Sequence, residues 1–154
     1  MARLFVAVWP DDVVIAALDR VEVTDGVRPV PRANWHTTLR FLGDAEPGAV
    51  AARLSAVSLP AAELTLGPTI RRLGRQLVVP VAGADELAAI AREATSGIGD
   101  DRPFVGHLTI ARGEPGAPFV ASMRATEVAL VASSLQPTGA VYTTLATFPT
   151  TEPA

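Results

Sequence analysis

Two histidines, each followed by the same short pattern, are the residues of this chain most suited to chemistry. His36 has Thr38 two positions later, and His107 has Thr109 at the same spacing; an aliphatic residue follows each threonine. Residues i and i+2 of a β-strand project from the same face, roughly 6.5–7 Å apart along the strand. Each motif therefore predicts an imidazole and a hydroxyl side by side on one face of a strand.

Two imidazoles and two hydroxyls are the groups that a displacement reaction at a phosphodiester requires: a general base, a general acid and hydrogen-bond donors. The ordinary imidazole pKa of about 6.5 allows one histidine to be neutral while another is protonated. The neutral ring can take a proton from water, and the protonated ring can give one to the departing alkoxide. Threonine hydroxyls can donate hydrogen bonds to the non-bridging oxygens. The pattern predicts that His36 and His107 are catalytic and that Thr38 and Thr109 bind substrate.

A structural role is the alternative for either motif taken alone. A histidine on a strand is usually a packed residue, and threonine is common in sheets because of its high β propensity. The same pattern after both histidines favours catalysis over that alternative. Two histidines without H-x-H or H-E-x-x-H spacing make a poor metal ligand set, and Asp100-Asp101 has the character of a loop. We predict no metal and no cofactor.

Composition excludes several other kinds of protein. The chain has 154 residues, 49% of them hydrophobic and 19% charged, which fits one folded domain over residues 1–154. It has no cysteine, which excludes disulfides, thiolate zinc sites and a cysteine nucleophile. Its 13 basic residues are all arginine, so a Schiff-base or phosphate-loop lysine is also excluded. The net charge of −3 argues against binding long duplex nucleic acid.

The apolar run near the amino terminus is too short for a signal sequence or a membrane span, and Pro10-Asp11 follows it directly. We expect a cytoplasmic monomer that does not bind membranes.

Strands and helices alternate in the first half of the predicted fold. The apolar patterns predict strands over 3–8 and 35–42, each followed by a helix that begins at Pro10-Asp11 or Glu46-Pro47. In the second half they predict strands over 64–73 and 76–81, joined by a hairpin at Gly74-Arg75, then a helix over 85–98, and strands over 107–112, 123–135 and 141–148. A strand, a helix and an H-x-T strand occur in both halves, with the histidines 71 positions apart. This repeat indicates two similar lobes that face each other.

The chain resembles the 2H phosphoesterase superfamily, and within it the bacterial RNA 2′,3′-cyclic phosphodiesterases once described as 2′–5′ RNA ligases. Beside the paired H-x-T motifs, the resemblance includes F-L-G after the first motif and A-R after the second. The matching segments are 3–8, 31–43, 104–112 and 142–149. Gly106 replaces a frequent proline before the second histidine, and Thr37 replaces a usual apolar residue.

The resemblance implies an α+β, bilobal fold: two pseudo-symmetric lobes of antiparallel sheet, helices on the outside, and the histidines in a central cleft. It implies that His36 protonates the leaving 3′ oxygen and that His107 activates water. It also implies that Phe41 and Arg112 lie near the nucleotide. Strict strand alternation places a residue five positions after a histidine on the opposite face unless a bulge intervenes. Phe41 is therefore also a candidate core residue, while Arg112 is the better candidate for contacting substrate.

The function that the paired motifs and the resemblance together imply is metal-independent hydrolysis of RNA 2′,3′-cyclic phosphate ends to a 2′-phosphate. Partners would be RNA ends or small nucleotides that carry a cyclic phosphate. Alternative substrates are 2′–5′ linkages, small cyclic nucleotides and ADP-ribose cyclic phosphate, and the non-enzymatic alternative is an RNA-end binding module. Arg71, Arg72 and Arg75 form the densest basic patch, which suits guiding RNA phosphates, although such a patch is more often a solvated hairpin surface.

Overall fold

The structure is a computed structural model that describes residues 2–26 and 28–152. Its elements within these ranges are β1 (Ala2–Val8), α1 (Asp12–Asp19), β2 (Thr37–Ala45), α2 (Pro47–Ser55), β3 (Ala62–Leu66), β4 (Arg71–Leu73), β5 (Gln76–Ala82), α3 (Asp85–Ala94), β6 (His107–Thr109), β7 (Ala121–Ala125), β8 (Glu127–Gln136) and β9 (Gly139–Pro149). A short 3-10 helix, Arg32–Asn34, precedes β2. No helix in the described ranges has the length and apolar character needed to cross a bilayer.

The strands form one antiparallel sheet in the order β7-β3-β5-β6-β2-β1-β8-β9, with β4 paired to β5. Strands β9, β8, β1 and β2 make a first half, and β6, β5, β3, β7 and β4 make a second half. The halves join where β2 pairs with β6, through Thr37 opposite Leu108. The predicted α+β class and the two antiparallel lobes are confirmed, and the junction between them lies at the two motifs.

Helices and core link the two halves. Each of the first two helices begins at an acidic cap: Asp11 accepts a hydrogen bond from the Val14 amide, and Glu46 accepts one from the Ala49 amide. Helix α1 follows β1 but packs on β7, and α3 follows β5 but packs on β2. One cluster of buried side chains contains residues of both halves, such as Val6 and Val79. Each half therefore supplies a helix that covers the other half's sheet.

Two predicted strands are each two strands in the structure, so those predictions were wrong. The run 64–73 is divided into β3 and β4, because Gly67 turns the chain there at φ +117 with no room for a side chain. The run 123–135 is divided at Thr126 into β7, which pairs in the second half, and β8, which pairs in the first. Strong β propensity on both sides of each break hid the change of partner.

Two further element ends differ from their predictions. The helix predicted over 85–98 ends at Ala94, where the Thr95 hydroxyl donates to the Ala91 carbonyl and glycines at positive φ follow. The strand predicted over 107–112 ends at Thr109, and Ala111 has φ +52. The hairpin at Gly74-Arg75 is confirmed by the pairing of the residues on either side of it.

Candidate active site

The two H-x-T motifs lie on adjacent antiparallel strands, and the middle residue of one motif pairs with the middle residue of the other. Thr37 pairs with Leu108, and both side chains are buried in the core. Continuing this register by one residue in each direction sets Thr38 opposite His107 and His36 opposite Thr109. Side chains directly opposite in an antiparallel pair share a face, with Cβ atoms roughly 4.5–5.5 Å apart. The register therefore brings all four predicted residues to one face of the sheet, about a local two-fold axis.

The tautomer of His36 follows from its two polar contacts. Its Nδ1 lies 2.7 Å from the Asn34 carbonyl oxygen, at the end of the 3-10 helix that precedes β2. A carbonyl only accepts, so Nδ1 carries the hydrogen. Nε2 lies 2.8 Å from the Thr38 hydroxyl. In the neutral ring, Nε2 is the acceptor and the Thr38 hydroxyl donates to it.

His107 is held in the same way. Its Nδ1 lies 2.7 Å from the Val105 carbonyl oxygen, which leaves Nε2 as the nitrogen available for proton transfer. Thr109, on the same strand, donates a long hydrogen bond of 3.5 Å to the Gln76 side-chain oxygen on β5. Both imidazoles are therefore held through Nδ1, which leaves Nε2 as the nitrogen that could transfer a proton.

Burial favours the neutral form of His36. The His36 pKa is lowered from its ordinary value, chiefly by burial; the hydrogen bond to the Asn34 carbonyl opposes this, and the charge of His107 adds to it. Aromatic rings surround the imidazole at centroid distances of 4.8 Å for Phe5, 5.3 Å for Tyr142 and 5.8 Å for Trp9. The free protein therefore favours a basic, unprotonated Nε2 on His36.

A cavity of about 410 Å³ opens beside the motifs. This volume lies within the usual range for small-molecule sites, roughly 300–1,000 Å³. Its lining includes Thr38, Phe41, Leu73, Arg92, Arg102 and His107. His36 lies next to this lining, hydrogen-bonded to Thr38. The cavity therefore combines two of the predicted chemical groups with a partly apolar wall.

A β-bulge places Phe41 at this cavity. Ala7 pairs with Thr38 and Val6 pairs with Arg40, so Leu39 is an extra residue on β2. The extra residue shifts the alternation and puts Phe41 on the face of Thr38. The residue is 44% exposed, and the Arg102 guanidinium carbon lies 4.8 Å from its ring centroid. The placement agrees with the predicted position of Phe41 near a nucleotide; its contact with substrate stays a prediction.

Arg112 lies elsewhere, against α1 and the tryptophan before the first motif. Its guanidinium donates to the Leu18 carbonyl near the carboxyl end of α1, and its central carbon lies 4.8 Å from the ring centroid of buried Trp35. These contacts anchor the chain after β6, where strand geometry has ended. They give Arg112 a packing role, and its predicted contact with substrate stays a prediction.

Arg40 is a buried residue of this region that sequence reasoning missed. The residue is only 8% exposed. Its guanidinium donates hydrogen bonds to the Thr95 hydroxyl at 3.2 Å and to the Ile98 and Asp100 carbonyls at 2.6 Å. The Asp100 carboxylate in turn binds Arg102, the residue that covers Phe41. The sequence did contain a signal for this role, an arginine within an apolar predicted strand. A charged residue at such a position indicates either an exposed sheet edge or a buried hydrogen-bonding partner.

Donors for a metal ion are not grouped in the part of the chain that the structure describes: no set of three or more His, Asp or Glu side chains converges there. The predicted independence of metal stays a prediction. A second cavity, of about 430 Å³, is lined by residues after α1 and by the segment before β7, and it contains none of the predicted site residues.

The sequence model of a family described as LigT like phosphoesterase matches residues 10–67. A protein of Thermus thermophilus named RNA 2′,3′-cyclic phosphodiesterase is 32% identical, over 95% of this chain and 89% of its own length. The chain belongs to the LigT-like phosphoesterase family. The prediction of a phosphoesterase enzyme is confirmed at that level. A Geobacillus stearothermophilus protein of the same name is 41% identical over 58% of this chain, although the match spans only 34% of that relative.

Solved structures of LigT-like phosphoesterases share this fold. A crystal structure described as a phosphoesterase has a TM-score of 0.84 at 28% identity and covers 97% of this chain and 98% of its own. E. coli LigT complexed with 3′-AMP has a TM-score of 0.78 at 26% identity, with the same coverage of both chains. The predicted membership of the 2H phosphoesterases is confirmed by these likenesses together with the family match.

Proposed function

We propose that this protein hydrolyses the 2′,3′-cyclic phosphate at an RNA end and leaves a 2′-phosphate. The pairing of Thr37 with Leu108 is the observation that carries the proposal, because its register brings the two imidazoles and the two hydroxyls of the motifs to one face of the sheet. A five-membered cyclic phosphodiester is a compact anion that needs one base, one acid and donors to two non-bridging oxygens. The two relatives named RNA 2′,3′-cyclic phosphodiesterase support hydrolysis of a cyclic phosphate end.

In the proposed reaction, a water molecule attacks phosphorus and the bond from phosphorus to O3′ breaks. His107 Nε2 accepts the proton of the attacking water, and His36 Nε2 gives its proton to O3′. Thr38 and Thr109 donate hydrogen bonds to the non-bridging oxygens, whose negative charge grows as the bond to water forms. The products are a 2′-phosphate and a free 3′ hydroxyl.

The acid role requires His36 to gain a proton on binding substrate, since burial lowers its pKa in the free protein. An anion beside an imidazole favours the charged form and raises its pKa. Protonation also ends the ability of Nε2 to accept the Thr38 hydroxyl hydrogen. The hydroxyl then turns to the phosphate as a donor. Binding of the anion, protonation of His36 and reorientation of Thr38 are thus one coupled event.

Product analysis tests this function. The purified protein is incubated with a short RNA that ends in a 2′,3′-cyclic phosphate, a 2′–5′ linked dinucleotide, a small cyclic nucleotide and ADP-ribose cyclic phosphate, and the ends formed are identified. We expect the RNA end to be converted to a 2′-phosphate. A 3′-phosphate product, or faster turnover of one of the other three substrates, would contradict the proposal. Tight binding without any product between pH 5 and pH 9 would instead identify a binding module.

A further inference from the structure

The hairpin of β4 and β5 borders the second H-x-T motif and carries the basic patch that the reaction itself does not use. Arg71, Arg72 and Arg75 are all exposed. Strand β5 lies between β4 and β6, and it pairs with β6 next to the catalytic residues, with Val78 opposite Thr109. The basic hairpin is therefore two strands away from the proposed phosphate site.

The strand register separates the two arginines of β4 by face. Val78 pairs with Arg71 on one side and with Thr109 on the other, and side chains directly opposite in a pair share a face. Leu73, two positions after Arg71, lines the catalytic cavity, which identifies that face as the one facing the cavity. Arg72 pairs with Leu77 and belongs to the opposite face. Arg71 thus shares the face of Thr109, roughly 10 Å away at about 4.8 Å per strand.

Charge distinguishes Arg71 from Arg92 and Arg102, the exposed arginines that line the cavity. Arg92 forms an ion pair with Asp101, and Arg102 forms one with Asp100. Within the described ranges, no carboxylate forms an ion pair with Arg71. The sequence between Glu63 and Asp85 contains no acidic residue. In a chain of net charge −3, the β4–β5 hairpin beside the cavity is a locally cationic surface that suits a phosphate.

We infer that Arg71 binds a backbone phosphate of the RNA on the 5′ side of the cyclic end. The substrate class is then single-stranded RNA of at least two nucleotides rather than a cyclic mononucleotide, which has no such phosphate. This inference rests on the proposed function and names the substrate of the same site. An exposed arginine on a phosphate supplies charge without base recognition, so the RNA sequence is not read at this position.

The test compares two substrates of which only one has an upstream phosphate: a short single-stranded RNA with a 2′,3′-cyclic end, and the 2′,3′-cyclic mononucleotide with the same terminal base. The measured quantity is the ratio of kcat/KM for the RNA to kcat/KM for the mononucleotide. Arg71→Gln is the test variant. Arg72→Gln is its matched control, because it removes the same charge from the next residue of the same strand on the opposite face.

We expect Arg71→Gln to lower the ratio roughly two- to fivefold, the effect of one exposed ion pair, and Arg71→Lys to keep most of it. For the RNA, the slope of log kcat/KM against log salt should fall by about 0.7 in Arg71→Gln. Arg72→Gln should keep the wild-type ratio and slope. Equal ratios in the two glutamine variants would overturn the inference and leave the proposed function standing. Failure of the wild type to open either substrate would overturn both.

Discussion

Replacing Arg40 by methionine removes a buried cation that holds the turn after α3 in place. The guanidinium donates three hydrogen bonds, to the Thr95 hydroxyl and to the Ile98 and Asp100 carbonyls. Methionine has a similar length and an adaptable thioether, so the change removes the donors with little change in volume. Arg53→Met is the matched control, because Arg53 donates to the Ser96 carbonyl of the same turn from an exposed position.

The size of the effect follows from the contacts. Hydrogen bonds from a charged donor contribute about 1.5–3 kcal/mol each, and burying the guanidinium offsets part of their sum. We expect Arg40→Met to lower the free energy of unfolding by about 3 kcal/mol, which in a chain of this size lowers Tm by roughly 6–12 °C. Arg53→Met should change it by less than about 0.5 kcal/mol.

Urea and thermal unfolding of both variants measure this difference. A kinetic assay on the same preparations adds a readout beyond stability, because the Ile98–Asp100 turn positions Arg102 over Phe41 at the cavity. Below the unfolding transition, we expect KM to rise more than kcat falls in Arg40→Met. Equal Tm values for the two variants, with KM unchanged, would refute the anchoring role of Arg40.

Three further predictions concern the catalytic groups. The His36 ring should titrate below its ordinary value in NMR spectra of the free protein and shift upward when inorganic phosphate is added; a pKa at or above about 6.5 without phosphate would contradict its burial. Thr38→Val and Thr109→Val should each lower kcat/KM on the order of tenfold to a thousandfold, since each removes one donor to the phosphoryl oxygens; wild-type rates in both would remove the threonines from the mechanism. Chelation with EDTA should leave turnover intact, and a loss that zinc or manganese restores would refute a mechanism that relies on two imidazoles alone.

Local spacing made the four residues of the motifs predictable, whereas their arrangement depends on tertiary structure. An H-x-T spacing places a histidine and a threonine on one face of any strand. The pairing of Thr37 with Leu108 joins strands far apart in sequence, and no local feature specifies which residues stand opposite each other. The repeat of the motif indicated two similar lobes, but only the strand register shows that the two motifs pair with each other.

Irregular backbone explains the less accurate predictions. The bulge at Leu39 is invisible in a run of apolar and β-branched residues, yet it decides that Phe41 faces the cavity. The prediction for Arg112 came from the resemblance and from its charge at the end of a predicted strand, whereas β6 ends at Thr109, three residues earlier. The prediction of one strand over 64–73 passed over Gly67-Pro68, a turn signal that lies between β3 and β4.

The most direct test of the central claim is a double-mutant cycle on the two histidines. kcat/KM for an RNA with a 2′,3′-cyclic end is measured for His36→Ala, His107→Ala and the double variant, with thermal unfolding confirming that each protein is folded. Because the two imidazoles act in one transition state, each single variant should lose most of the turnover, and the double variant should be little worse than either. Folded single variants that both keep near-wild-type kcat/KM would contradict the account.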